Sequence, residues 1–400
     1  MDPLALDRPK LRPSIDTVQA FLDVQWSHLR PIATFPETAS VRRINVITDS
    51  IGPSSLFGGV GTSLILGSLW AARTGATLRI VTRTEPPEST ALGATLAANG
   101  VSFEGRTEFH FSPHQGGREL PLGPGDLFLS TAWWTTRSLL NTVPADRIVY
   151  LLQEDERMFY PLGDEHLACA QTLAEPLRLT VINTNLLFQY MTTGDAAIAG
   201  LAERSIFFEP AFSDGVRNED HSDRKRNLFF YARPTNARNL YLTGIAMIEN
   251  AVLRGVLNPE RWRVHLVGHN LRPLEFSNGL EAVFHAPMDW ANYQSFLATM
   301  DAGLSLMYTP HPSYPPFDLA ALGIPALTNR FEIKTDLSDY SENVVCADLS
   351  ESGLLDGMSQ LLDLAEDRQR CLLNRERDGL QRNWSIALEP VVAELAKIAS

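Results

Sequence analysis

Apolar and polar positions follow a regular rhythm along this chain. From residue 44 onward, short apolar runs are separated by longer stretches with helical spacing. The first series is INVITD (44–49), TLRIVT (77–82), DLFLS (126–130), RIVYLL (147–152) and LRLTVIN (177–183). The second is NLFFYA (227–232), WRVHLVG (262–268), AVFHA (282–286), AGLSLM (302–307), PALTN (325–329) and NVVCAD (343–348). Runs that stay apolar at consecutive positions predict strands buried on both faces, as in a parallel sheet covered by helices. Strands alternating with helices predict an α/β protein.

Between the two series lies SDGVRNEDHSDRKRN (213–227), polar and without apolar periodicity, which predicts a linker. The pattern therefore predicts two doubly wound, Rossmann-like domains, 44–215 and 216–385, facing across a cleft. Residues 1–43 read as a tail and an added helix. Residues 1–13 are Pro-rich and charged and predict loose order. Ser14 is expected to cap a helix carrying Ile15, Val18, Leu22, Trp26 and Leu29, ended by Pro31 and packed on the first domain. Beyond about Glu351 the spacing is helical, and residues 386–400 are expected to form a helix crossing back onto the first domain. Ligands of such sheets sit beyond the carboxyl ends of the strands, so two facing sheets point to the cleft between them.

Length and composition agree with this picture. A chain of 400 residues is long for one ordinary domain. The formal net charge of −13 leaves no basic excess for a nucleic-acid backbone, although a local basic pocket for a small anion stays open. Cys169, Cys346 and Cys371 are odd in number and widely spaced, so neither a disulfide framework nor a zinc site is expected. A reducing, cytoplasmic setting fits. The first residues, MDPLALDRPK, lack the apolar core of a secretory signal, and no 18-residue apolar run occurs.

Candidate chemistry gathers after predicted strand ends. In FYARPTNARN (230–239), Arg233 and Arg238 flank a turn that leads into a helix. Two guanidiniums there can clamp a diphosphate through forked, charge-assisted hydrogen bonds. Spacing alone equally allows two solvated surface charges. In MYTPHPSYPPFDLAALGIPALTN (307–329), Asp318 sits in the first turn of a helix, where it can accept hydrogen bonds from a sugar diol or simply complement the helix dipole. The loop SLFGGVGTSL (55–64) carries Gly58, Gly59 and Gly61, which permit close backbone approach to a ligand. As a dinucleotide fingerprint it is incomplete, because Leu64 stands where Gly or Ala is required. The acidic segment QEDERMFYPLGDEH (153–166) offers Glu154 and Asp155 as acceptors of a hydroxyl proton, with a solvated acidic loop as the alternative. His114 and His311 read as structural histidines. Lys334 is either a third cation near the donor or a surface lysine. Gly268, His269, Met288 and Asp289 fall on loops suited to holding a nucleotide base.

The two basic and acidic constellations, in this order and roughly 80 residues apart, resemble the C-terminal half of a GT-B glycosyltransferase of the family 4 type. Arg233 matches the family's diphosphate-binding Arg, and Arg238 replaces its Lys. Asp318 and Gly323 match the second of two glutamates, which holds the donor ribose, and the Gly after it. The first glutamate falls at Pro310 and is absent. A closer similarity is to bacterial S-layer and polysaccharide rhamnosyltransferases. It is carried by YLLQEDERMFYPLGDEH (150–166), FFYARPTNARN (229–239), MYTPHPSYPPFDLAALG (307–323) and TNRFEIKTDLSDYSENV (328–344). This resemblance implies transfer of L-rhamnose from dTDP-β-L-rhamnose, or another sugar from its nucleotide, with retention. It implies a glycan or lipid-linked glycan acceptor, peripheral membrane contact if that acceptor is lipid-linked, and no metal or other cofactor. Arg233, Arg238, Glu154 and Asp155 would then serve catalysis. The donor would contact Gly59, Gly61, Gly268, Met288, Ser313, Tyr314, Asp318 and Lys334 besides the arginines. Alternatives are a nucleotide-sugar epimerase on the same fold, a non-catalytic nucleotide-sugar or carbohydrate binder and, more distantly, an NAD-linked dehydrogenase.

Overall fold

In the computed structural model, residues 17–38, 41–52, 59–215, 217–218, 225–286, 288 and 290–399 are described. The first half carries β1 (Thr34–Pro36), β2 (Arg43–Thr48), β3 (Thr77–Thr82), β4 (Thr107–Phe111), β5 (Leu120–Leu122), β6 (Leu127–Ser130), β7 (Ile148–Leu152), β8 (Leu179–Asn183) and β9 (Ser205–Phe208). The second half carries β10 (Arg226–Tyr231), β11 (Trp262–Val267), β12 (Glu281–His285), β13 (Ala302–Leu304), β14 (Ala326–Asn329) and β15 (Val344–Ala347).

Seven strands of the first half form a parallel sheet in the order β4-β3-β2-β6-β7-β8-β9. Those of the second half form a six-stranded parallel sheet, β12-β11-β10-β13-β14-β15. Both are doubly wound, as the apolar runs predict. The short strands β1 and β5 pair separately. In each sheet the strand order reverses once, at β2/β6 and at β10/β13, and the crevice at such a reversal is where open α/β sheets bind ligands.

Alternate residues of one strand feed different cores. Ile44 and Val46 pack with the helix Gly59–Thr74, whereas Ile47 joins Phe128, Tyr150 and Trp133 on the opposite face. Likewise Leu228 and Phe230 face the helices Tyr241–Leu253 and Glu351–Glu366, and Phe229 faces Tyr293, Leu297 and Leu319. This two-sided burial is the reason these strands lack an alternating pattern.

The helix Glu389–Ile398 lies on the first half. Val391, Val392 and Leu395 enter its core, Trp70 Nε1 donates to the Leu395 carbonyl at 3.1 Å, and Arg73 pairs with Glu389 at 2.6 Å. At the other end, the expected cap is corrected. The helix runs Val18–Gln25 and is capped by Thr17, whose hydroxyl accepts from the Ala20 amide at 3.1 Å. Ser14 and Ile15 lie outside the described residues, as do residues 219–224 of the expected linker. The expected packing of this helix is also corrected: Val18, Phe21, Leu22 and Val24 are exposed, and only Trp26 and Leu29 beyond it reach the core.

Candidate active site at the interdomain cleft

The strand reversal at β10/β13 places two loops side by side. Residues 232–239 follow β10, and residues 305–313 follow β13. The Tyr308 amide donates to the Arg238 carbonyl at 2.7 Å and ties the two together. Arg233 lies half-buried, with Nη1 3.4 Å from the Tyr231 hydroxyl. Arg238 reaches across the cleft. Its guanidinium stacks 3.9 Å over the Phe159 ring, and its Nε lies 3.5 Å from Glu154 Oε2. Burial pushes the Arg238 pKa down; Glu154 opposes this shift and the Arg233 charge adds to it. The two arginines thus form one basic patch.

Glu154 and Phe159 come from the segment after β7. Glu154 is buried, Thr309 Oγ1 donates to its Oε2 at 3.3 Å, and its Oε1 has no partner. Burial raises its pKa to about 7, with Arg238 and Lys334 pulling the other way. Asp155 is corrected as a proton acceptor. Both of its oxygens take hydrogen bonds at 2.8 Å from Arg157, and it caps the turn Glu156–Phe159. Glu156, which the sequence reading did not single out, is buried, and its Oε2 accepts from the Trp133 amide at 2.6 Å.

Three residues beyond the loop after β13, Lys334, Tyr314 and Asp318, depart from expectation. Lys334 is fully buried and donates to the Met307 carbonyl at 2.9 Å and the His311 carbonyl at 3.5 Å. It braces the loop from beneath rather than standing open to a ligand. Burial lowers its pKa to about 8. Tyr314 is corrected too: its hydroxyl bonds Thr62 Oγ1 at 3.0 Å and accepts from Asn183 Nδ2 at 2.8 Å, both in the first half. It joins the two halves. Asp318 is not an open carboxylate. It lies buried beside Tyr293 and Gln294, its Oδ1 has no partner, and burial raises its pKa to about 7.

Two family models match this framework. The model described as WsaF, N-terminal domain, matches residues 43–185, and that described as WsaF, C-terminal domain, matches residues 226–359. The chain carries both domains of the WsaF family. Its fold is of the GT-B class, two doubly wound α/β halves. An O-antigen biosynthesis protein RfbC of Myxococcus xanthus is 26% identical over 280 residues, 68% of this chain and 20% of that protein. The chain thus spans about a fifth of the curated relative it matches. The fold is that of a sucrose-phosphate synthase from Thermosynechococcus elongatus, with a TM-score of 0.58 at 12% identity over 89% of this chain and 98% of that one. It is also that of an α,α-trehalose-phosphate synthase (UDP-forming) from Burkholderia xenovorans, with a TM-score of 0.53 at 10% identity over 88% and 99%.

The WsaF-type chain uses its glycines for close packing. A Cβ on Gly268 would overlap the Ala232 carbonyl oxygen, so the ends of β10 and β11 can approach only with glycine there. Gly59 opens the helix Gly59–Thr74, and its carbonyl accepts from Gln153 Nε2 at 2.8 Å. Gly61 is buried inside the same helix. Met288 packs, partly buried, against the cluster that includes Phe229, Val267 and Tyr293. Gly58 and Asp289 lie outside the described residues. Among the described residues, no group of three or more His, Cys, Asp and Glu could hold a metal ion, and no helix is long and apolar enough to cross a membrane. Thr309 and Phe159 entered no sequence expectation. Their only signal was a place just past a strand end.

Proposed function

We propose that the chain transfers a hexosyl group from a nucleotide sugar to a glycan hydroxyl, with L-rhamnosyl from dTDP-β-L-rhamnose as the donor group and retention as the outcome. In this reading residues 44–215 bind the acceptor, a free or lipid-linked glycan, and residues 216–385 bind the donor. The observation that carries it is the pair Arg233 and Arg238 at the β10/β13 reversal, with Arg238 against Glu154 and Phe159 of the facing half. The two guanidiniums hold the diphosphate and stabilise the charge that grows on it as the glycosidic bond breaks. Stabilisation greater in the transition state than in the ground state is what accelerates the step. The base and ribose of the donor lie toward Met288, and the buried Asp318 supports that side of the pocket from beneath. Glu154 stands where the acceptor hydroxyl approaches, and closing the halves excludes water. The arrangement calls for no metal, since basic side chains do the neutralising.

The test is turnover of dTDP-L-rhamnose and other nucleotide sugars with and without a rhamnose-containing glycan. Transfer needs the glycan; conversion without it points to an epimerase, and binding without turnover to a lectin-like or regulatory protein. Arg233→Ala should lower kcat by roughly 100-fold or more, as loss of one preorganised charge-stabilising donor does. Near-normal turnover by that variant would sink the role given to Arg233.

A further inference from the structure

One ring nitrogen of His311, in loop 305–313, is used neither by the fold nor by the roles assigned above. His311 is buried, and its Nδ1 accepts from the Ser313 amide at 3.0 Å. Ser313 holds a left-handed φ of 72°, uncommon for a residue with a side chain, and so presents that amide to the ring. An imidazole that accepts at Nδ1 carries its proton on Nε2 and donates from there. His311 Nε2 is buried and has no partner. A buried donor left unpaired costs free energy, and in a cleft it points to a ligand atom.

The surroundings say which kind of atom. Thr309 Oγ1 shares its one proton between Glu154 Oε2 at 3.3 Å and the His311 carbonyl at 3.4 Å, so His311 belongs to the wall that meets the first half. Burial, Lys334 and Arg238 together hold the ring neutral, with a pKa of about 3. A neutral N–H matches a neutral acceptor, whereas the arginines already answer a charged one. A hydroxyl also donates, and Glu154 Oε1 on the facing wall is a buried acceptor without a partner.

We propose that His311 Nε2–H donates to a hydroxyl on the sugar of the nucleotide-sugar donor, making His311 a specificity-determining residue. This rests on the donor-site reading above. The test is calorimetric binding of dTDP, UDP, dTDP-L-rhamnose and UDP-glucose to the wild type, His311→Phe and His311→Gln. The wild type should bind a nucleotide and its preferred nucleotide sugar. His311→Phe should bind the nucleotide within twofold of wild type but the nucleotide sugar at least tenfold more weakly. His311→Gln, whose amide nitrogen reaches the same place, should recover most of that loss. Should His311→Phe fail to fold, His311→Met replaces it in the same comparison. Equal weakening of nucleotide and nucleotide sugar, or no weakening of either, overturns the inference while leaving the donor site standing. A wild type that binds no nucleotide overturns the donor site itself and the inference with it.

Discussion

Glu154 and Arg238 meet across the domain boundary, and the pair imposes a pH dependence on ligand binding. Burial places the Glu154 pKa at about 7. Below that pH the carboxyl is neutral and Arg238 is released to a diphosphate. Above it the carboxylate competes for Arg238. Affinity for dTDP should therefore fall as pH rises from 6 to 8, by about fivefold if the coupling is about 1 kcal/mol. Glu154→Gln should flatten that profile. Titrating both proteins with the same nucleotide by calorimetry cancels the ligand's own ionisation, and parallel profiles would remove Glu154 from the role. At this scale the sequence was partly legible. Arg233 and Arg238 follow a strand end in a way that elementary anion chemistry recognises. The fates of Asp155, Lys334 and Tyr314 were not legible, because each is decided by a partner distant in sequence or hidden in a turn: Arg157, the Met307 carbonyl, and the pair Thr62 and Asn183.

Among elements, the strands read most clearly were those with continuous apolar runs. Such runs occur only where helices cover both faces. The edge strands β4 (TEFHF) and β9 (SIFF) were not read, because one side of each meets solvent and the run is broken. The capped helix near residue 18 was misread by three residues, since Ser14 and Thr17 are chemically equivalent caps. Glycine placement is tighter than sequence suggests. Gly268→Ala drives a methyl into the Ala232 carbonyl between the ends of β10 and β11. It should cost about 3 kcal/mol or more, read as a lower denaturation midpoint, and should displace the loop bearing Arg233. A variant as stable and active as wild type would show that the strand ends can part cheaply.

For the whole molecule, polar links between the halves include Tyr314 with Thr62 and Asn183, Tyr340 with Glu209, and Arg238 and Thr309 with Glu154. Tyr314→Phe deletes the shared hydroxyl and leaves the Asn183 amide without that acceptor. The expected cost is about 1–3 kcal/mol. Calorimetry should show a single unfolding transition in wild type broadening or splitting in the variant; an unchanged trace would mean that the remaining links, Phe212 with Phe317 and Glu154 with Arg238 among them, suffice. Two doubly wound halves were predictable from rhythm alone. How they seat on each other was not, because that seating depends on single side chains in loops, where periodicity carries no signal.

The helix Glu389–Ile398, with Trp384 and Leu388 just before it, seals a core most of whose residues emerge from the ribosome far earlier. The hydrogen bond from Trp70 to the Leu395 carbonyl spans 325 residues. During synthesis the first sheet therefore waits, with the flank of the helix Gly59–Thr74 uncovered, until after the whole second sheet has been made. Domains of nascent chains usually fold in order of emergence, and an uncovered apolar flank invites association in the meantime. Here the earlier unit is finished last. Its maturation is tied to the later one, and a nascent chain lacking this helix would expose the flank to chaperones and proteases.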